Sequence, residues 1–309
     1  MPRDETMPLR DIFDVLKATF LEWWNDNTFR LAASLAFYTI FSLAPVLVIA
    51  VALAGLVFDS SGSEAIRQDL ANEIGTLVGS EGQAAVAQVL EQASVDAGSP
   101  VAATIGIITV LIGSTFVFAE LQSALNIVWD VKADPTRSMI RGFVRDRLRS
   151  FGIALSVGFV LVVSLVVSTG LSAAQNQLDE HLPGQSWLWQ SLNLIVGLIL
   201  VGLLFAMIYK YLPDVHITWR DVAIGAAVTS ILFSIGRFAI GAYLGRMAFG
   251  SAYGGAGSFV VFLIWIYYSA LICFFGAEFT QVFARRYGSR IQPSAHAVRV
   301  GEKPDEVEA

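Results

Sequence analysis

The amino-acid sequence predicts an all-α membrane protein, a polytopic bundle of six transmembrane helices with both termini in the cytoplasm. The composition is 55% hydrophobic and 15% charged, which is more apolar than a soluble domain of this length can bury. The apolar residues fall in separated blocks about as long as a bilayer is thick. Lys and Arg are concentrated in alternate connecting segments, as the positive-inside rule requires of a membrane protein.

Six blocks have the length and composition of a membrane span. They are Leu31–Phe58, Val101–Ala119, Phe151–Ala174, Trp187–Tyr209, Val222–Leu244 and Tyr253–Ala277. The segments that would be cytoplasmic hold 17 Lys and Arg residues, against 2 in the segments that would be outside. This bias predicts the orientation, and with six spans it places both termini in the cytoplasm.

The spans divide the chain into three parts. Residues 1–30 carry apolar side chains at helical spacing and predict an amphipathic helix on the inner membrane surface. Residues 31–285 form the membrane domain. Residues 286–309 contain prolines and acids and predict a disordered tail. The single cysteine, Cys273, excludes an intrachain disulfide.

The first outer segment, residues 59–99, predicts an extracytoplasmic helical hairpin. It holds seven acids and one base. Its length allows it to cover or gate a cavity, whereas charged segments of this kind also serve as solvated caps.

The cytoplasmic segment 129–150 carries a basic stripe, since Arg137, Arg141, Arg145 and Arg149 recur every four residues. Apolar residues between them favour a helix that rests on anionic lipid headgroups. The alternative is that these arginines only hold the segment inside. The segment is short and lacks a stacking surface, so a nucleic-acid partner is not expected.

Two acids lie near the cytoplasmic ends of spans two and six, namely Glu120 and Glu278. Arg30 and Lys210 occur at the same predicted depth. Interfacial ion pairs with these bases would satisfy both acids, whereas paired acids at one depth also occur in proton- or cation-coupled transport.

Arg237 is the only charge inside a predicted span. At ~1.5 Å per residue it lies ~22 Å from the inner surface, in the outer third of the apolar core. No acid in another span reaches that depth. Its guanidinium would bind an anionic ligand such as a lipid phosphate, or it would snorkel to the outer surface.

Several residues allow bends or close helix packing. Pro45 removes a helical hydrogen bond in span one. The glycines at the start of span six permit non-helical backbone beside a possible ligand cavity. These are Gly254, Gly255 and Gly257.

Two further patterns concern span five. Gly241 and Gly245 have G-x-x-x-G spacing, which favours helix packing and a possible homo-oligomer. Thr218 and Asp221 have the spacing of an N-cap and its reciprocal acid, and predict that the helix begins after Thr218.

Five groups of motifs resemble one known family. They are Ala32-Ala33-Ser34-Leu35-Ala36-Phe37-Tyr38 with Ser42-Leu43-Ala44-Pro45, Leu121-Gln122-Ser123-Ala124-Leu125-Asn126 with Trp129, Leu212-Pro213-Asp214 with Trp219-Arg220, Tyr253-Gly254 with Trp265-Ile266-Tyr267, and Gly276-Ala277-Glu278. The chain resembles the YihY/virulence factor BrkB membrane proteins, formerly called ribonuclease BN, from about Trp23 to Arg286. Ala44 and the acidic tail depart from the family pattern. The resemblance implies a six-helix inner-membrane protein of bacteria, linked to envelope integrity and proposed to transport lipids or solutes.

Three functions are compatible with these features. The first is a transporter or flippase-like protein that handles an anionic lipid or envelope precursor, and the second is a non-transporting envelope-assembly scaffold. Ribonuclease activity is the third. RNA cleavage needs a metal-binding cluster or a paired acid and base, whereas His181, His216 and His296 are scattered. We therefore expect no enzymatic activity, no metal and no cofactor, and we expect membrane lipids as partners.

Overall fold

The computed structural model describes residues 9–39, 116–133, 186–244, 257–288, 291–294 and 297–300. Most of these residues are helical. The helices are α1 (Leu9–Asn25), α2 (residues 28–39), α3 (Phe116–Val128), α4 (Ser186–Tyr211), α5 (Trp219–Leu244) and α6 (Gly257–Tyr287). The predicted all-α class is confirmed.

Three of the described helices are long and apolar enough to cross a membrane. The spans are Leu194–Tyr211 in α4, Trp219–Ile240 in α5 and Val260–Tyr287 in α6. They coincide with predicted spans four, five and six. Spans one and two are described only in part, and span three lies outside the described residues. The total of six spans and their orientation stay predictions.

Helix α6 is longer than a membrane requires. Its 31 residues extend ~46 Å at ~1.5 Å per residue, against a hydrocarbon core of ~30 Å. The helix therefore continues beyond the core, and its last turn carries the exposed residues Arg285 and Arg286.

A local hydrogen-bonded cap begins α5, and a left-handed residue separates α1 from α2. Asp221 N–H donates to Thr218 Oγ1 at 3.5 Å, and the Thr218 hydroxyl donates to the Asp221 carboxylate at 2.8 Å. The N-cap predicted for α5 is thus confirmed. Between α1 and α2, Asn27 adopts a φ of 54°, a left-handed conformation that Asn tolerates better than most residues.

Four short strands form two antiparallel pairs. They are β1 (Val131–Ala133), β2 (Val215–His216), β3 (Gln292–Pro293) and β4 (Ala297–Arg299). Strand β1 pairs with β4, with Val131 opposite Arg299, and β2 pairs with β3, with Val215 opposite Pro293. The end of the chain is thereby connected to the segments that follow α3 and α4.

The prediction of a disordered tail is wrong for residues 291–294 and 297–300. Ile291 and Ala297 are buried there, and Arg299 donates from its guanidinium to the Ile291 carbonyl at 2.7 Å. These long-range backbone pairings outweigh the local composition on which the prediction rested. The remaining tail residues after Val300 lie outside the described part of the chain.

The chain divides into two compact units, which are described separately. Unit 1 comprises Met1–Phe29, Gln122–Leu232 and Ile272–Ala309, and unit 2 comprises Arg30–Leu121 and Phe233–Leu271. Helices α2, α3, α5 and α6 contribute residues to both, and neither unit is continuous in sequence. The division predicted at residues 30 and 285 remains a prediction.

Each unit has its own apolar packing. In unit 1, Val15 of α1 packs with Phe279 and Val282 of α6, beside partly buried residues of α5. In unit 2, Ala36 packs with Phe262 and Ile266. Burial of the apolar side chains in unit 1 fixes α1 against the end of α6, and the buried acids described below lie in the same unit.

Candidate functional site

Helices α5 and α6 approach closely within unit 1, through a reciprocal pair of glycine and threonine residues. A Cβ atom on Gly225 would overlap the Thr280 side chain, and one on Gly276 would overlap Thr229. Each threonine hydroxyl donates to the glycine carbonyl four residues earlier, at 2.7 Å for Thr229 and 2.6 Å for Thr280. Small residues thus bring the two helices together without leaving a buried hydroxyl unpaired.

Helix α4 joins this contact through Tyr209. Its fully buried phenol donates to the Cys273 carbonyl at 2.7 Å and lies 3.2 Å from Thr229 Oγ1. Three apolar helices are therefore connected at one level by buried polar groups, which specify their relative register.

Glu278 follows two residues after Gly276 and is fully buried, with 0% of its surface exposed. Neither carboxyl oxygen has a hydrogen-bond partner. A rotation of ~200° along α6 separates Glu278 from Gly276, so Glu278 does not share the face that packs on α5. Charged groups are rarely buried without partners because their desolvation is costly.

The acid that acts most strongly on Glu278 is Asp26, in the turn between α1 and α2. The two carboxyl groups act on each other directly, and neither supplies a donor to the other while both are ionised. Burial and, to a smaller extent, the negative charge of Asp130 raise the pKa of Asp26 to about 6. Glu278 and the Arg285 guanidinium oppose this rise.

Asp130 is a third acid beside Asp26 and Glu278, and it is the one closer to solvent. It has a φ of 51° at the turn between α3 and β1, accepts a hydrogen bond from Gln281 Nε2 at 3.1 Å and forms an ion pair with Arg285. The Arg285 and Asp130 side chains are 46% and 51% exposed. Together with Glu22 of α1, these acids form what we call the carboxyl cluster, defined as Glu22, Asp26, Asp130 and Glu278.

Two open clefts border the carboxyl cluster. One, of about 440 Å³, is lined by Asp130 and Arg285 among others, and the other, of about 560 Å³, is lined by Glu22 and Arg285. Water therefore reaches the cluster at Asp130 and at Glu22. Within the described part of the chain, no three His, Cys, Asp or Glu side chains are placed to hold a metal ion.

A second buried acid, Asp214, has a structural role. Its carboxylate accepts hydrogen bonds from Gln122 Nε2 at 3.1 Å and Asn126 Nδ2 at 3.0 Å, and its N–H donates to Asn126 Oδ1 at 2.8 Å. The Asp214 carbonyl accepts from Ser294 N–H at 2.9 Å. Asp214 thus connects α3, the segment after α4 and the end of the chain, and it brings together two of the motifs on which the resemblance rests.

The predicted ion pair between Glu278 and Lys210 is not formed. The Lys210 ammonium donates instead to the Ile217 carbonyl and lies 5.8 Å from the centre of the Trp219 ring. Both acceptors are only a few residues away, so they are available to Lys210 without any long-range packing. Glu120 and Arg30, both in unit 2, do not form an ion pair with each other.

Arg237 lies in a largely exposed and otherwise apolar stretch of α5, in unit 2. The side chains Ile235 and Phe238 in this stretch are 61% and 80% exposed. Arg237 itself is exposed, and no described residue forms a hydrogen bond or ion pair with it. Ile240, one turn further along the helix, is buried against α6.

Several predicted site residues lie outside the described part of the chain. They are Pro45, Gly254, Gly255, Gly245, Arg137, Arg141, Arg145 and Arg149, together with the hairpin at 59–99. Gly257 is the first residue of α6, and Gly241 lies within α5. Their predicted roles stay predictions.

The sequence reasoning missed Asp26 and Asp130 as partners of Glu278. A signal existed, since both acids lie at the predicted inner boundary of a span, as Glu278 does. Nothing in the sequence indicated that residues 26, 130 and 278 would meet.

Comparison with known proteins identifies the family of the chain. The family described as Virulence factor BrkB matches residues 19–300. The chain belongs to this family. The chain is similar to a UPF0761 membrane protein of Ralstonia nicotianae, which is 30% identical over 82% of this chain and 55% of its own length. A UPF0761 membrane protein of Rhodospirillum centenum is 25% identical over 88% of this chain and 58% of its own length.

This BrkB-family chain therefore spans little more than half the length of the curated relatives that it matches. No solved structure matches it. Family membership together with three apolar spanning helices makes it a multi-pass integral protein of the bacterial inner membrane.

Proposed function

We propose that this protein is transporter- or flippase-like and handles an anionic lipid or envelope precursor. The observation that carries the proposal is Arg237, an exposed arginine within a membrane-spanning helix. With α5 oriented as the basic segments predict, Arg237 lies ~22 Å from the inner surface.

The exposure of Arg237 determines what kind of ligand can bind its guanidinium. An exposed side chain within a membrane-spanning helix meets lipid or a laterally entering molecule, rather than an enclosed cavity. A charge in hydrocarbon is costly unless its donors are occupied. The planar guanidinium binds phosphate oxygens through two parallel hydrogen bonds, so a phosphate-bearing lipid satisfies it better than a chloride ion or water.

Three substitutions of Arg237 test this function. Lys keeps the charge but not the planar fork, so the Arg237→Lys variant should retain part of the activity. Arg237→Met keeps similar bulk without charge and should be inactive although folded. Arg237→Glu should be inactive and poorly inserted. Arg220→Met is the matched control, because Arg220 is an exposed arginine in the first turn of the same helix.

The assays measure binding and movement separately. Full-length protein in nanodiscs is titrated with fluorescent phosphatidylglycerol, and proteoliposomes report movement of the same lipid between leaflets. We expect Arg237→Met to lower phosphatidylglycerol affinity at least ~10-fold, the equivalent of ~1.4 kcal/mol, with no change for phosphatidylcholine.

Two outcomes argue against the proposal. If the Met variant restores envelope integrity in cells at normal membrane abundance, Arg237 only snorkels and the ligand role is rejected. If the unmodified protein binds phosphatidylglycerol but does not move it between leaflets, the protein is a non-transporting scaffold.

A further inference from the structure

Among the described acids, Glu278 is the one whose burial is least explained by its contacts. It is fully buried, lacks a hydrogen-bond partner and lies next to the closest contact between α5 and α6. The overlap that a Cβ on Gly276 would cause shows that α6 packs tightly against α4 and α5 at this level.

The groups around Glu278 come from three elements. Helix α1 and its following turn supply Glu22 and Asp26, and the turn after α3 supplies Asp130. Helix α6 itself supplies Arg285, which acts on Asp26 and is paired with Asp130. The charged groups that act on Glu278 are thus all acids. These negative charges disfavour ionisation of both Glu278 and Asp26 at once. They therefore favour a proton on one of these two carboxyl groups.

The carboxyl cluster becomes more exposed in steps. Glu278 is 0% exposed, Asp26 is partly buried, and the Asp130 side chain is 51% exposed at the edge of an open cleft. Such a series of carboxyl groups resembles the chains of acids that carry protons in pumps and transporters. A metal cation fits less well, since the described residues hold no suitable group of three ligands.

We propose that Glu278 and Asp26 form a proton-binding site that takes up and releases one proton at the cytoplasmic end of α6. On release, the Glu278 carboxyl group loses its proton to the Asp26 carboxylate, which passes it to water through the clefts beside Asp130 and Glu22. Proton binding stands on this geometry alone. Only the further step, that the proton drives lipid movement, rests on the proposed function.

Infrared difference spectroscopy tests proton binding directly in the full-length protein. The protein is reconstituted in vesicles of phosphatidylethanolamine and phosphatidylglycerol, and the band of protonated carboxyl groups is followed against pH. We expect a band from a buried protonated carboxyl group that is lost in Glu278→Gln. Asp26→Asn should displace the titration midpoint of this band by about 1 pH unit or more, because it removes the neighbouring charge.

Asp14→Asn is the matched control. Asp14 is an acid of the same helix as Glu22, with its side chain 55% exposed, 3.8 Å from Arg286. This variant should leave both the band and its midpoint unchanged. If the band survives in Glu278→Gln, or if Asp14→Asn displaces its midpoint as much as Asp26→Asn does, the proposal is overturned. The less buried Asp26 variant keeps the test decisive if Glu278→Gln does not fold.

Coupling is measured in the same vesicles under an imposed pH gradient. Lipid movement by the unmodified protein should accelerate several-fold under the gradient, and the response should be lost in Glu278→Gln. If the protein moves no lipid but the carboxyl band still depends on Glu278, the proposed function fails while the proton site stands. If lipid moves at the same rate with and without a gradient, the proton does not drive transport and the coupling is rejected.

Discussion

Replacing Gly276 with alanine should separate α6 from its neighbours and destabilise the protein. A Cβ atom at this position would overlap Thr229 Oγ1 and would lie 2.6 Å from the Tyr209 hydroxyl oxygen and 2.7 Å from Thr229 Cγ2. Neither neighbour can move aside easily. The Thr229 hydroxyl is bonded to the Gly225 carbonyl at 2.7 Å, and the Tyr209 hydroxyl to the Cys273 carbonyl at 2.7 Å.

The magnitude follows from these contacts. Overpacking a tight core costs about 1–3 kcal/mol, and rigid neighbours on two helices place Gly276→Ala at the upper end. We therefore expect a loss of about 3 kcal/mol in the free energy of unfolding, or roughly a 100-fold change in the equilibrium constant. Gly197→Ala is the control, since nothing lies within 4 Å of its Cβ position. That change should be neutral, or should stabilise helix α4 by up to ~1 kcal/mol.

Unfolding by a denaturing detergent, followed by tryptophan fluorescence, measures both variants in the full-length protein. A second pair checks the mechanism, because all three atoms nearest a Cβ on Gly225 belong to Thr280. Adding Thr280→Ala to Gly225→Ala should recover part of the lost stability. Equal stability of the Gly276→Ala and Gly197→Ala proteins would refute the close helix contact.

Two further predictions concern charge. The folded-state pKa of about 6 for Asp26 exceeds its ordinary value of 3.8, so its contribution to stability is complete below pH ~4 and is lost as the pH rises through ~6. Asp26→Asn should therefore raise the free energy of unfolding at pH 7.5 by about 1–2 kcal/mol after solvent screening, but not at pH 4. A thermal melt that showed a larger gain at pH 4 would contradict the sign of this pH dependence. For topology, reporter fusions after Arg147, Lys210 and Arg290 should be cytoplasmic and a fusion at Glu81 external, and a single inverted reporter would exclude six spans.

Local features of the sequence were sufficient for the helices and some of their ends. The apolar blocks that predicted spans four to six coincide with α4, α5 and α6, because a membrane span needs only a continuous run of apolar residues. The N-cap at Thr218 depends on residues three positions apart, so its spacing could be recognised directly.

Partners that are distant in the chain were not predictable in this way. The acid at the predicted depth of Lys210, Glu278, is distant in the chain, yet Lys210 bonds to the carbonyl of Ile217, only seven residues away. The tail had the composition of a disordered segment, yet its backbone pairs with β1 and β2. The sequence did not indicate which of the compatible partners each of these segments would meet.

The sequence by itself determined the membrane class, the family and the presence of Glu278 near the end of a span, since these follow from composition, short motifs and hydrophobic length. Only the tertiary structure decided that Glu278 is buried without a hydrogen bond and that Asp26 is the carboxyl group beside it. These two residues are brought together by the packing of α1 against α6 through Val15, Phe279 and Val282. The physical reason is that hydrophobic burial selects which distant segments meet. The environment created by that contact then determines the partners and the protonation of the polar groups on those segments.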